Sequence, residues 1–446
     1  MRNESIGLPR TEDCMAHKSK HFNVPTPKRR PTTKSLAEET YPYYAGYAES
    51  FAREAIQRIS SPGAVVFDPW NGAGTTTHAA ATMGRPTFGT DLNPVMVVVS
   101  KAKCASEEDA RRAQDLFDSV SEQSTAALGR DDPLALWVGP RAAGFIRHLV
   151  LQAFSVEKRD FSCTHLEDVA RDVSRASRAT CFLLLAIFRA VKAGAAKNVS
   201  SNPTWTKQPS PREKWGSVRD WRKAINEQLE RLTKINTQIS ALHPVNSNLV
   251  SIECASSEAA PLEDGSVDVV LTSPPYCTRI DYAIATLIEL AVLGLSTELV
   301  NATLRKDLLG TTSIRSALPE RLESWGETCN VLLSRVFDHP TKGSRSYYYK
   351  NFVQYFDSLY RSVGELARVV KADGVVCAVL QGSHYKECPV DLPKIFAEMA
   401  SGLGFALTET ASFDVTQHLG SVNQKSLKYR KAVAVTEQVL VLQRES

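Results

Sequence analysis

Short apolar runs recur along this chain at 64–67, 86–89, 249–252, 267–271 and 375–380, with two more at 405–408 and 439–442. Runs of this length without polar alternation predict strands buried on both faces, as in a parallel sheet. Between the first two runs, residues 76–83 are small and end at Gly84, which predicts a short helix. After the second run, Asp91 stops the strand and Pro94 opens another helix, a position that suits proline. The opening is therefore βαβα, and strands from both halves of the chain are expected to share one sheet.

Roughly 150 residues separate the second run from 249, far more than an ordinary crossover, so a helical insertion is expected there. It contains an apolar helix over 179–191 and an amphipathic one over 218–242. The expected organisation is a flexible basic tail over 1–40 and a first catalytic segment over 41–100. The helical insertion over 101–247 follows, then a second catalytic segment over 248–446 with a smaller insertion near 297–348.

Composition narrows the class. With 43% hydrophobic and 23% charged residues the chain is an ordinary globular protein rather than a fibrous or disordered one. No apolar run approaches the roughly 18 residues that span a bilayer, and the N-terminus lacks a signal-peptide core, so no membrane partner and a cytoplasmic location are expected. The cysteines show no C-x-x-C spacing, which predicts reduced thiols and no metal site. A net charge of +4 permits nucleic-acid binding without requiring it, so local charge has to decide.

The candidate chemistry begins at Phe67–Thr76, FDPWNGAGTT, set between a strand and a helix. At the carboxyl end of a parallel strand, glycines such as Gly72 and Gly74 let backbone amides approach a ligand, and the helix N-terminus favours its negative group. Here that group is expected to be the carboxylate of a methionine-type cofactor, with Asp68 accepting from its ammonium and Thr75 and Thr76 offering hydroxyls. Asp91 lies roughly 20 residues beyond the turn, the spacing at which a carboxylate receives a ribose diol. By itself such an acid is as well read as a helix cap, and a glycine turn as purely structural.

The third feature is Thr272–Tyr276, TSPPY, closing the run at 267–271. The lone pair of an exocyclic base amine is conjugated with the ring, so methylation needs acceptors that localise it. A Pro-Pro step stiffens the backbone and removes two N–H donors. The Pro274 carbonyl and Ser273 hydroxyl then become acceptors, Pro275 fixes the turn, and Tyr276 stacks on an extruded base.

On these three motifs the chain resembles the amino-methyltransferases that modify cytosine N4 or adenine N6 in DNA. Phe67–Thr76 is similar to their cofactor motif I, Asp91 to motif II and Ser273–Tyr276 to catalytic motif IV. The stretch at 41–51 is similar to motif X, which helps hold the methionine end of the cofactor. The resemblance implies a Rossmann-like class I methyltransferase α/β fold, a mostly parallel doubly wound sheet with the large helical insertion. It implies S-adenosylmethionine as cofactor, held by Tyr44, Asp68, Pro69, Trp70, Asn71, Gly72, Gly74, Thr75, Asp91 and Leu92. Double-stranded DNA is the implied substrate, with a restriction or defence protein as partner. SPPY is commonest among cytosine-N4 enzymes, whereas adenine-N6 enzymes more often carry DPPY or NPPY, so Ser273 favours cytosine. Trp70 stands where the family usually has Phe, and the acid expected after the third strand is not evident, with Glu253, Cys254 and Ser256 all candidates.

For DNA contact the basic stretch from Arg189 to Lys234 is the first candidate, with Lys207, Arg212 and Lys214 in its sharpest loop and Trp205, Trp215 or Trp221 as wedges. A second candidate is 341–350, TKGSRSYYYK. The alternatives are adenine-N6 methylation and, in another class, a DNA-binding or assembly protein that kept the fold without turnover.

Overall fold

The computed structural model describes residues 20–29, 35–43, 46–129, 131–163, 165–195, 206–207, 209, 216–277, 281–415 and 435–446. Its strands are β1 (Lys20–His21), β2 (Val66–Asp68), β3 (Thr87–Asp91), β4 (Val250–Cys254), β5 (Val267–Thr272), β6 (Val370–Gln381), β7 (Ser383–Tyr385), β8 (Cys388–Val390), β9 (Phe405–Val415) and β10 (Val435–Arg444). All but the small β7–β8 hairpin lie in one sheet of order β1-β9-β10-β6-β5-β2-β3-β4.

The centre of that sheet is parallel: β2 pairs with β3 and β5, β3 with β4, and β5 with β6. Only β10 runs against its neighbours β6 and β9. The strand order reverses between β2 and β5, so the crevice at their carboxyl ends is the natural ligand site of a Rossmann-like sheet. Both FDPWNGAGTT and TSPPY emerge there.

Side-chain alternation covers both faces. Phe67 and Val270 enter one apolar cluster with the helices Tyr349–Val369 and Leu392–Ser401, while their neighbours Val66 and Leu271 enter another with Phe51 and Ile56 of the helix Glu49–Ile59. Truncating fully buried Phe67 to Ala should cost about 3–5 kcal/mol.

The described residues between 107 and 242 are mostly helical and add no strand to the sheet. The apolar helix Arg178–Gly194 packs against Pro94–Lys103 and is flanked by Glu107–Asp118 and the amphipathic Val218–Leu242, which Ser217 caps with a capping box. Both helices lie where the hydrophobic period predicts.

The expected tail at 1–40 differs from the structure within its described part. β1 runs parallel to β9, Phe22 and Val24 are buried, and a further helix, Leu36–Thr40, is capped by Ser35. A few apolar side chains anchor this stretch, and the surrounding charge run conceals them in the sequence. No helix among the described residues is long and apolar enough to cross a membrane.

Candidate functional site

The turn after β2 needs left-handed backbone at Gly72 (φ 49°) and Gly74 (φ 72°). The two glycines have different roles. Gly72 faces the crevice, whereas a Cβ on Gly74 would stand 2.6 Å from Ser100 Cβ, so Gly74 packs the turn onto the helix Pro94–Lys103. Gly89 in β3 is likewise a packing residue, because a Cβ there would meet the Asn71 side chain at 2.6 Å.

Asp68 closes β2 and is buried. Its Oδ1 accepts from Thr272 Oγ1 at 2.6 Å and from the Trp70 amide at 3.1 Å, and its Oδ2 accepts from Thr76 Oγ1 at 2.5 Å. Tyr47 approaches the same oxygen at 3.5 Å. Burial pushes the Asp68 carboxyl up to about 6, against the opposing pull of these hydrogen bonds. Asp91 behaves similarly: the Gly72 amide donates to Oδ2 at 3.0 Å and the Asn93 amide to Oδ1 at 2.8 Å, and burial raises its carboxyl to about 6. Asp91 thus both faces the crevice and holds the glycine turn.

On the other side of the switch point, Thr272 ends β5 and delivers Ser273 and Pro275 to the same crevice. The Pro275 carbonyl accepts from the Tyr355 hydroxyl at 2.8 Å, which fixes the Pro-Pro step against the helix Tyr349–Val369. Pro274 is buried, and the Tyr276 hydroxyl lies 3.4 Å from Glu437 Oε1 on β10. Gly310, at φ 82°, packs against the Tyr276 carbonyl, where a Cβ would come within 2.8 Å. The segment carrying Gly310 is tied down by Arg305 Nε, which donates to buried Asp281 at 2.6 Å.

These pieces line one cleft, which opens to solvent. Of the expected cofactor residues, Asp68, Pro69, Trp70, Asn71, Gly72, Thr75, Asp91 and Leu92 line it. Gly74 is turned away, and Tyr44 lies outside the described residues. Ser273 and Pro275 line the cleft, while Pro274 and Tyr276 stand beside it.

Several lining residues carry no signal in the sequence. Arg29 and Tyr282 belong to segments with no motif of their own, and Leu308 and Leu309 come from the smaller insertion, whereas Tyr43 and Tyr47 lie in the motif X-like stretch. Beyond β4, Ser256, Ser257 and Glu258 line the cleft; of the three candidates for the acid after the third strand, Ser256 reaches it and Glu253 and Cys254 do not.

The basic stretch divides. Arg189 Nη1 donates to the carbonyls of Glu39 at 2.8 Å and Thr40 at 2.5 Å, and Lys192 Nζ donates to buried Glu289 at 2.7 Å, which also accepts from Tyr41 at 2.5 Å. Arg222 stacks 4.5 Å from the Phe117 ring. Arg189 and Lys192 thus hold the insertion to residues 39–41 and to Glu289, whereas Arg222 packs within the insertion. Trp221 is buried against Gly194, where a Cβ would meet its ring at 2.3 Å, so it is a core residue and not a DNA wedge. Lys207 is exposed; Arg212, Lys214, Trp205 and Trp215 lie outside the described residues. The 341–350 stretch forms a π-helical turn, Ser344–Tyr348, leading into Tyr349–Val369.

The chemistry of the cleft fits S-adenosylmethionine. Two carboxyls raised by burial face a space where the cationic ammonium and sulfonium would favour their ionised forms. Gly72 opens the turn toward it, and the buried Trp70 Nε1 and Asn71 Nδ2 have no hydrogen-bond partner among the described residues.

Comparison with known proteins agrees. Residues 13–102 match the family model described as DNA methylase, of the N6/N4 methyltransferases. The type II methyltransferases M.AvaI of Nostoc sp. and of Anabaena variabilis are each 25% identical over 190 residues, covering 39% of this chain and 38% of theirs. The chain thus spans well under half the length of these curated relatives. Among solved structures, a SAM-dependent methyltransferase from Methanosarcina mazei aligns with a TM-score of 0.30 at 7% identity, over 88% of this chain and 97% of that one. A geranyl diphosphate C-methyltransferase from Streptomyces coelicolor gives 0.32 at 9%, over 95% and 92%. At such scores the sheet order itself carries the fold assignment. The family model and the curated relatives together support the amino-methyltransferase family, whose cofactor is S-adenosylmethionine.

Proposed function

We propose that this chain transfers a methyl group from S-adenosylmethionine to the exocyclic N4 amine of a flipped cytosine in double-stranded DNA. The observation that carries the reading is one cleft in which Asp68, Gly72 and Asp91 meet Ser273 and Pro275. When bound, the cofactor supplies an electrophilic methyl on a sulfonium.

Asp68 receives the ammonium and Asp91 the ribose diol, while Asp91 also keeps the Gly72 turn in shape. Ser273 Oγ and the Pro274 carbonyl accept from the amine of the extruded base, drawing its lone pair out of conjugation and toward the methyl. Because Tyr355 engages the Pro275 carbonyl, the acceptors are held rather than mobile. Tyr276 supplies the stacking face. Cytosine follows from Ser273 in the position where adenine-N6 enzymes more often carry an acid or amide.

Lys207, Arg212 and Lys214 are the proposed phosphate contacts, and the restriction or defence partner rests on the family resemblance alone. The test is transfer of radiolabelled methyl to duplex DNA, RNA and protein offered separately. Label in the DNA fraction alone supports the reading; label only in RNA or protein, or none despite tight cofactor binding, overturns it.

A further inference from the structure

We propose that Arg29, carried into the cleft by the N-terminal segment Lys20–Arg29, binds the carboxylate at the amino-acid end of the cofactor; this rests on the S-adenosylmethionine reading above. The segment is built into the fold. Lys20 and His21 pair with Glu409 and Thr410, the Phe22 amide donates to the Thr410 carbonyl at 2.8 Å, and Phe22 and Val24 are buried. Farther on, the Ala48 amide donates to the Pro27 carbonyl at 2.7 Å, which fixes the backbone just before Arg29.

The guanidinium lines the cleft at the start of the helix Thr75–Thr82. Its Nε donates to the Tyr47 carbonyl at 3.0 Å, Nη1 to the Tyr43 carbonyl at 2.8 Å and Nη2 to Thr75 Oγ1 at 3.2 Å. Glu38 Oε1 forms an ion pair with Nε at 3.7 Å. Gly46 makes room: it sits at φ 105°, and a Cβ there would stand 3.2 Å from Nη2. Its three hydrogen-bond acceptors are neutral oxygens, and Glu38 stands beyond hydrogen-bond reach, so the half-buried cation keeps capacity for a further anion. The fork geometry suits a carboxylate.

Arg29, the helix start and the carboxyls of Asp68 and Asp91 line the same cleft. A ligand that carries a carboxylate, an ammonium and a ribose offers a complementary group to each. The sequence reads Arg29 only as part of the basic tail ahead of the motif X-like stretch.

A staple that only held the 43–47 segment would show the same hydrogen bonds, so the experiment separates the two roles. Calorimetry compares S-adenosylhomocysteine, which has the carboxylate, with 5′-methylthioadenosine, which lacks the amino-acid end. Arg29→Ala is expected to weaken the first by about tenfold to a hundredfold and the second by less than about twofold, with Arg29→Lys in between. Equal weakening of both, or no change in either, overturns the role. If Arg29→Ala fails to fold, Arg29→Gln and Arg29→Lys carry the same comparison. Wild-type protein that binds neither compound overturns the cofactor reading itself, a result distinct from wild-type binding that is indifferent to Arg29.

Discussion

Thr272 donates its hydroxyl to Asp68 Oδ1 at 2.6 Å, joining the last residue of β5 to the last residue of β2 across the switch point. The bond locks the strand that delivers Ser273 to the strand that opens the glycine turn, so the two halves of the proposed site share one buried carboxylate. Thr272→Val keeps the shape and leaves that carboxylate short of a donor. We expect a stability loss of about 1–3 kcal/mol, read by urea unfolding, and a smaller loss for Thr272→Ser. A change under about 0.3 kcal/mol would show that the link is dispensable.

The two raised carboxyls make binding pH-dependent. Burial lifts Asp68 and Asp91 to about 6 from the ordinary carboxylate range near 4. In the ligand-free protein the folded state binds protons more tightly than the unfolded chain, so their contribution to stability falls as pH rises from about 4 to about 6 and is then constant. A cation in the cleft reverses the preference. Cofactor affinity should therefore fall as pH drops below about 6, by up to about tenfold per unit for each carboxyl that must ionise. Calorimetry from pH 5 to 8 checks this, and Asp91→Asn should flatten the slope. A flat profile in the wild-type protein would contradict the electrostatic role.

Tyr276 stands beside the cleft, with its hydroxyl 3.4 Å from Glu437 Oε1. Its ring is the proposed stacking face, so Tyr276→Phe should retain methylation within about fivefold, whereas Tyr276→Ala should lose about tenfold to a hundredfold, the range that stacking of one base supplies. Cofactor affinity should hold in both. Single-turnover rates with calorimetry on the same preparations separate chemistry from binding. Equal defects in the two variants would assign the work to the hydroxyl.

The basic stretch makes a divided forecast. Neutralising Lys207, Arg212 and Lys214 together should reduce the salt slope of DNA binding by up to about 0.9 for each phosphate that is no longer neutralised. Arg189→Ala and Lys192→Ala should instead reduce stability and leave the slope alone, because their partners are Glu39, Thr40 and Glu289. Fluorescence anisotropy across a salt series reads both; a slope unchanged by the triple substitution removes that loop from the interface.

The sheet was legible because its strands are short apolar runs and because two of them end in motifs whose chemistry demands a crevice. Asp68, Gly72, Asp91 and Ser273 follow from those motifs. Local pattern fails where a residue acts from a distance. Arg29 reaches the cleft only because Phe22 and Val24 pin its segment to the sheet, and Leu308 only because Arg305 and Asp281 pair. Gly74 resembled Gly72 in sequence, and only the packing against Ser100 distinguishes them. Trp221 and Arg189 matched a nucleic-acid pattern by composition while serving the interior.

The most direct measurement is the identity of the modified base. Duplex DNA methylated by the purified protein is digested to nucleosides and separated by mass spectrometry. N4-methylcytosine, absent when Ser273→Ala replaces the wild-type protein, is the predicted result; N6-methyladenine as the sole product would contradict the account.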